Sequence, residues 1–318
     1  MRDWADAIGV PHGVVTTLAI ALVAMIAGTI IRLATISPDS AQGRSRLGSL
    51  ATWWTLLIAF GGALLLGRAA TALFFALAAF LGIREFLALT FETRRDRVGD
   101  FLASVAVPVQ FLLAAHDAAW SALFLPVAFF LALPVRMMLT GSTTGYIHDA
   151  GSVFWGVMLL GFALSHVVLF AAAPEALIDG SWCGLILYLV LLTETNDIAQ
   201  ALWGRRIGRH KVTPTISPNK TWEGLVFGMA TTVAAGVGLS RLLTPLEPLA
   251  AAGGSLVIAA GGFLGDINMS AVKRDIGVKD SSALLPGQGG ALDRIDSLCF
   301  SAPLFYYYYG FIHATAGG

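Results

Sequence analysis

The sequence predicts an all-α protein, a polytopic transmembrane helical bundle of about ten spans, with nine as the variant, and three observations carry that prediction. Of the 318 residues, 56% are hydrophobic and only 13% charged. That is about half the charged share of an ordinary soluble domain, too little to cover a water-facing surface. Stretches of the roughly 20 apolar residues needed to cross hydrocarbon recur along the whole chain. The cations fall in every second connection between those stretches, as a membrane topology requires. The 20 Lys and Arg are balanced by 20 Asp and Glu, so the basic excess expected of a nucleic-acid partner is missing. Cys183 and Cys299 lie in apolar runs, which leaves neither a disulfide framework nor a thiolate zinc site.

Spans are expected near residues 14–35, 50–67, 69–91, 100–115, 119–139, 152–173, 182–203, 223–243, 249–267 and 297–315. The first is too long for the apolar part of a signal peptide, and Asp3 and Asp6 spoil a positive leader, so it reads as a permanent anchor. The fourth and ninth are short, which keeps open nine spans plus a re-entrant piece. Arg44 and Arg46, then Arg94, Arg95 and Arg97, then Arg205, Arg206, Arg209 and Lys211, then Lys273, Arg274 and Lys279 occupy alternate connections. The other connections hold Arg68, Arg241, Glu175 and Asp179. The positive-inside rule then puts both termini outside and the basic loops in the cytoplasm. The 35 glycines, many within spans, suit close helix packing, and Tyr306 to Tyr309 read as an aromatic belt. Residues 1–181 read as a transmembrane scaffold and 182–318 as a transmembrane catalytic region with cytoplasmic loops.

Three segments do not fit a scaffold. In the seventh span Thr193, Glu194, Thr195, Asn196 and Asp197 stand in a row. Each carboxylate there costs about 2.5–3.5 kcal/mol at mid-span and less toward an end. Asp197 lies roughly 9 Å inside the span, with Glu194 one turn deeper on the same face. An interhelical hydrogen bond explains one such residue and hardly five, so the run points to function. The loop Gly204 to Gly224 is basic, which by itself can be a topology signal or a headgroup contact. Its part Ser217, Asn219, Lys220 and Thr221 offers hydroxyls, an amide and an ammonium just before a helix N-terminus, a set suited to phosphate oxygens. Further on, Asp266, Lys273, Arg274, Lys279, Asp280, Asp293, Arg294 and Asp296 crowd one level around the glycine-rich turn Gly287 to Gly290. Acids at a helix N-terminus can merely favour the macrodipole. Carboxylates beside cations and a glycine turn also describe a Mg²⁺ nucleotide site, in which one or two carboxylates hold an ion completed by phosphate and water. Neither a Walker A sequence nor a dinucleotide glycine fingerprint is present.

These residues resemble the phosphatidate cytidylyltransferases, or CDP-diacylglycerol synthases. Ser270 to Asp296, SAVKRDIGVKDSSALLPGQGGALDRID, is similar to the family signature, and Ile216 to Gly224 and the Asn196-Asp197 pair are similar to its other two blocks. The strong match runs from Thr193 to Ser297; the first half matches only as a bundle of apolar helices. Gln288 stands where the family usually has His, and Ala291 replaces a larger apolar residue. Gln still donates a hydrogen bond, so it is expected to serve as a neutral donor to phosphate.

The resemblance implies CTP and phosphatidate as substrates, CDP-diacylglycerol and pyrophosphate as products, and a bacterial inner membrane with the site facing the cytoplasm. It implies Mg²⁺ held by Asp266 and Asp293, with room for a second cation such as K⁺, and a homodimer. It places Asp197, Lys273 and Arg274 in the chemistry. Substrate contacts are expected from Ser217, Asn219, Lys220, Thr221, Ser270, Lys279, Asp280, Gln288, Gly289, Gly290, Arg294 and Asp296. In-line attack by the lipid phosphate, with metal and cations stabilising the charge, agrees with these residue types. A transporter would also carry intramembrane acids, though near the midplane and on repeats that are not visible here. A catalytically weak relative that binds CTP or acidic lipid is the other alternative.

Overall fold

The computed structural model describes residues 10–35, 41–90, 97–116, 118–139, 145–173, 182–282, 284–285 and 288–316. Among the described residues ten helices follow one another: α1 His12–Thr35, α2 Ala41–Leu66, α3 Arg68–Thr90, α4 Arg97–His116, α5 Ala118–Met138, α6 Tyr146–Ala172, α7 Trp182–Ile207, α8 Trp222–Leu243, α9 Pro248–Asp275 and α10 Leu292–Ala316. The chain is a polytopic helical bundle. Among the described residues, α1 to α9 are long and apolar enough to cross a bilayer. The 25-residue α10 has the length, while its run Tyr306 to Tyr309 lowers its hydropathy. The two spans expected to be short come out at 20 residues for α4 and 28 for α9, so neither is a re-entrant piece. One π-helical turn lies within α5, Phe124–Phe129, and one within α6, Met158–Ala163.

A small antiparallel hairpin, β1 Lys211–Thr213 and β2 Ser217–Thr221, stands between α7 and α8, with Lys211 opposite Thr221 and Thr213 opposite Ser217. The sequence reading had foreseen only a loop there. The most extensive packing joins α7 to α8 and α9 to α10, with α8 bridging to α9. Glycines set the α9–α10 distance. A Cβ at Gly261 would press on the Ser301 backbone, and one at Gly265 on the backbone of Asp296 and Ser297. That contact seats Asp266 against the first turns of α10. The alternating helix directions bring the ends of α7 and α9 and the starts of α8 and α10 to one end of the bundle.

Arg94, Arg95, Glu175, Asp179, Gly287, Asp3 and Asp6 lie outside the described residues, as do the side chains of Arg44 and Arg97.

Candidate active site

Local signals stop these helices where the site needs them. Helix α9 closes in a Schellman arrangement: Val278 N donates to Lys273 O at 2.8 Å and Gly277 N to Arg274 O at 3.1 Å. Gly277 takes φ +84°, a left-handed conformation that glycine adopts without steric cost. The chain therefore turns back at Gly277, one helical turn after Lys273. At the start of α8, Thr221 Oγ1 accepts from Gly224 N at 3.1 Å, a helix cap. Glu223 accepts from the backbone N–H groups of Arg209 and His210 and from the His210 ring, pinning the hairpin to α8.

Two carboxylates organise the start of α10. Glu85, from α3, accepts from Ala291 N at 3.0 Å, Leu292 N at 2.9 Å, Ser281 Oγ at 3.0 Å and Ser282 Oγ at 2.8 Å. It thus satisfies orphan N–H groups at a helix N-terminus and holds both serines of the preceding loop. Asp293 Oδ2 accepts from Ser281 N, Ser281 Oγ and Gly290 N at 2.9, 2.9 and 3.0 Å, while its Oδ1 takes Lys273 Nζ at 2.6 Å. Gly289 has φ +83°. A Cβ at Gly290 would collide with Ser281 Oγ and the Glu85 carboxylate.

A cavity of about 410 Å³ opens beside these groups, lined by Trp53, Glu194, Asp197, Ile198, Ala201, Arg205, Asp266, Lys273, Asp280, Gln288, Asp293, Arg294 and Asp296. Asp197 Oδ2 accepts from Ser297 Oγ at 2.8 Å, and its Oδ1 is buried without a partner. Asp296 Oδ1 accepts from Ser297 N at 2.7 Å. Asp266 pairs with Lys220 Nζ at 2.6 Å and accepts from Ser270 Oγ at 3.2 Å. The polar run of α7 is thus divided by its faces. Glu194 and Asp197 face the cavity, whereas Thr193 meets Ser301 and Asn196 donates to Ala259 O, holding α7 to α10 and α9.

The cytidylyltransferase family model matches residues 49–312. The chain belongs to that family. Over 258 residues, 81% of this chain and 85% of the relative, it is 44% identical to "Uncharacterized protein YnbB" of Escherichia coli (strain K12). Over 257 residues, 79% of this chain and 91% of the relative, it is 33% identical to a Pseudomonas aeruginosa protein named phosphatidate cytidylyltransferase. A Haemophilus influenzae protein of the same name is 39% identical over 139 residues, 40% of this chain and 46% of its own.

In this member of the family the fold brings to the cavity wall Asp197, Asp266, Lys273, Asp280, Gln288, Asp293, Arg294 and Asp296, all singled out from sequence. Ser270 and Lys220 reach it through Asp266, and Gly290 through Asp293. Ser217, Asn219, Lys279 and Arg274 do not line it. Arg274 instead donates to Ile216 O and Val278 O, bracing the hairpin against the end of α9. Thr221 is spent on its cap, and Gln288 Nε2 donates to Ser49 Oγ.

The sequence reading missed Trp53, Ser49 and Glu85, all in the segment read as scaffold. Glu85 had one available signal, an acid just inside the apolar run of α3. Arg205 was read as a topology charge.

Among the described residues no three His, Cys, Asp or Glu side chains stand close enough to cage an ion. Mg²⁺ needs no such cage, since it typically takes one or two carboxylates and completes its shell with phosphate and water. The orphaned Asp197 Oδ1 and the six carboxylates against three cations on the cavity wall fit that donor set.

Proposed function

We propose that this cytidylyltransferase makes CDP-diacylglycerol and pyrophosphate from CTP and phosphatidate, at a site facing the cytoplasm. The carrying observation is the cavity wall, where Glu194, Asp197, Asp266, Asp280, Asp293 and Asp296 face Arg205, Lys273 and Arg294. A triphosphate and a phosphate monoester can share so acidic a space only with metal cations between them. Asp197 Oδ1 is a buried oxygen in that space without a hydrogen-bond partner.

In the proposed reaction an oxygen of the lipid phosphate attacks the α-phosphorus of CTP, the bond from that phosphorus to the β-phosphate's bridging oxygen breaks, and pyrophosphate leaves with the electron pair. The attacking oxygen is already anionic near neutral pH, so no strong base is needed. Asp266 and Asp197 would hold Mg²⁺, and Asp293 would join through Oδ1 only by exchanging Lys273 for the ion. When bound, Mg²⁺ supplies charge stabilisation on the attacking and leaving oxygens. Lys273, in the last turn of α9 and held by Asp293, directs an ammonium at the phosphates. A second cation such as K⁺ suits the acids that remain.

The test is transfer of label from [α-³²P]CTP into chloroform-soluble lipid by purified protein. Incorporation should require both phosphatidate and Mg²⁺. Absence of labelled lipid with phosphatidate at any Mg²⁺ concentration would remove this reading.

A further inference from the structure

The four cations at the site are not equivalent. Lys273 is tied to Asp293 and Lys220 to Asp266, each at 2.6 Å. Lys220 also lies over the Phe263 ring, 4.8 Å from its centroid. Arg294 carries a buried Nε without a partner. Arg205 lines the cavity, is exposed, and makes neither an ion pair nor a hydrogen bond among the described residues. A free guanidinium is the side chain best shaped for two-pronged contact with a phosphate.

Its position says which phosphate. Glu194, Asp197, Ile198, Ala201 and Arg205 recur at helical spacing along one face of α7, and all five line the cavity. Ile198, at 50% exposure, and Ala201 are also open to the outside. They and Trp53 of α2 form an apolar lip at the cavity mouth. In a bilayer, such a lip suits acyl chains, and the headgroup level is where Arg205 stands, about 10 Å along the axis from Ile198. CTP has no chains to lay on that lip. Glycerol phosphates and phosphatidate share the same phosphate chemistry, and only the lipid uses the lip.

We propose that Arg205 is the receptor for the phosphate monoester of the acceptor lipid, which is taken sideways between α2 and α7 over the lip formed by Trp53, Ile198 and Ala201. This rests on the cytidylyltransferase reading for its substrate and names the subsite that substrate occupies. Arg205 is then a binding residue for the acceptor and not for the nucleotide, so the two substrates are held by different cations.

The experiment measures binding to the purified full chain in detergent by calorimetry, with dioctanoyl phosphatidate, dioctanoyl phosphatidylcholine, sn-glycerol 3-phosphate and CTP with Mg²⁺ as separate probes. Wild type should prefer the phosphatidate to the other two acceptor probes. Arg205→Ala should weaken phosphatidate about tenfold or more and leave CTP unchanged, as expected for loss of one charge-assisted contact. Arg205→Lys should recover part of the loss. Arg206→Ala, one residue along and off the cavity wall, should change neither and serves as the folding control. An unchanged phosphatidate affinity in Arg205→Ala, or an equal loss for CTP, overturns the assignment. Equal binding of sn-glycerol 3-phosphate overturns the lip. If phosphatidate binds through Arg205 but no CDP-diacylglycerol forms, the synthase reading falls and the subsite stands. If wild type does not distinguish phosphatidate from phosphatidylcholine, both fall.

Discussion

Asp293 and Asp266 were expected to do the same job, and their surroundings separate them. Asp293 takes hydrogen from Lys273, from Ser281 twice and from Gly290, so it shapes the loop as well as facing the cavity. Among the described residues Asp266 has only Lys220 and Ser270. Asp266→Asn should therefore leave the fold intact and raise the Mg²⁺ concentration needed for half-maximal rate. Asp293→Asn turns an amide toward donors that already have hydrogen to give. It should abolish turnover at every Mg²⁺ concentration and destabilise the protein by about 1–3 kcal/mol, the range for leaving a buried polar group unmet. Mg²⁺ titrations of the rate and thermal melts distinguish the two. In rate the double variant should cost little more than Asp293→Asn alone, because groups that act as a unit are not additive. Gln288 is a gentler case. Its Nε2 is engaged by Ser49, so its service to substrate passes through the position of the glycine turn. Gln288→His should keep activity, and its pH–rate profile should gain a step near the ordinary histidine range of about 6.5 that the wild type lacks. Total loss of activity would mean the pocket is built around glutamine.

At the level of elements, α3 matters more than its composition suggests. Its Arg84-Glu85 pair sits just inside an apolar run, where charges ordinarily mark the membrane interface. Only the fold reveals that Glu85 receives the two N–H groups at the start of α10 and both serines of the loop before it. Glu85→Ala should leave those donors unmet, loosen the segment 281–292 and lower the turnover number more than it raises the KM for CTP. Limited proteolysis confined to that segment, with the helices still protected, is the accompanying readout. Unchanged proteolysis and turnover would show that α10 keeps its start without α3. The same limit of sequence reading explains the polar run of α7. Five polar residues in a span announce a function, but which of them face the cavity is decided by where α9 and α10 pack. Ser301 and Ala259 O, far away in sequence, claim Thr193 and Asn196 and leave Glu194 and Asp197 to the site. The stretch Ser217 to Thr221 was legible as something special, while its use as a strand and a helix cap depends on Glu223 pinning the hairpin. The signature from Ser270 to Asp296 was the most legible part, because its acids and cations are set close together by local turns.

For the molecule as a whole, direction is the quantity that sequence and structure constrain together. Hydropathy located ten helices, and their up-and-down order puts Lys211 and Lys279 at the end of the bundle that holds the cavity. Glu247, which precedes α9, and His313, near the end of α10, stand at the opposite end. Labelling of these four positions must therefore divide two against two, whichever way the protein sits in the membrane. The charge alternation predicts the way: the basic end should stay in the cytoplasm. Cys183 and Cys299 are free and buried, so single cysteines placed at 211, 279, 247 and 313 can be read without removing them. A membrane-impermeant maleimide applied to spheroplasts should label Glu247→Cys and His313→Cys, and should reach Lys211→Cys and Lys279→Cys only after the membrane is opened. Inverted labelling would keep the bundle and refute the charge argument, placing the cavity away from cytoplasmic CTP. A division that separates Lys211 from Lys279 would refute the bundle itself, because α8 and α9 between them carry the chain across and back. The cavity needs both loops at one depth, since Lys220 from one pairs with Asp266 beside the other. Agreement of the two lysine positions is thus a test of the site as well as of the topology.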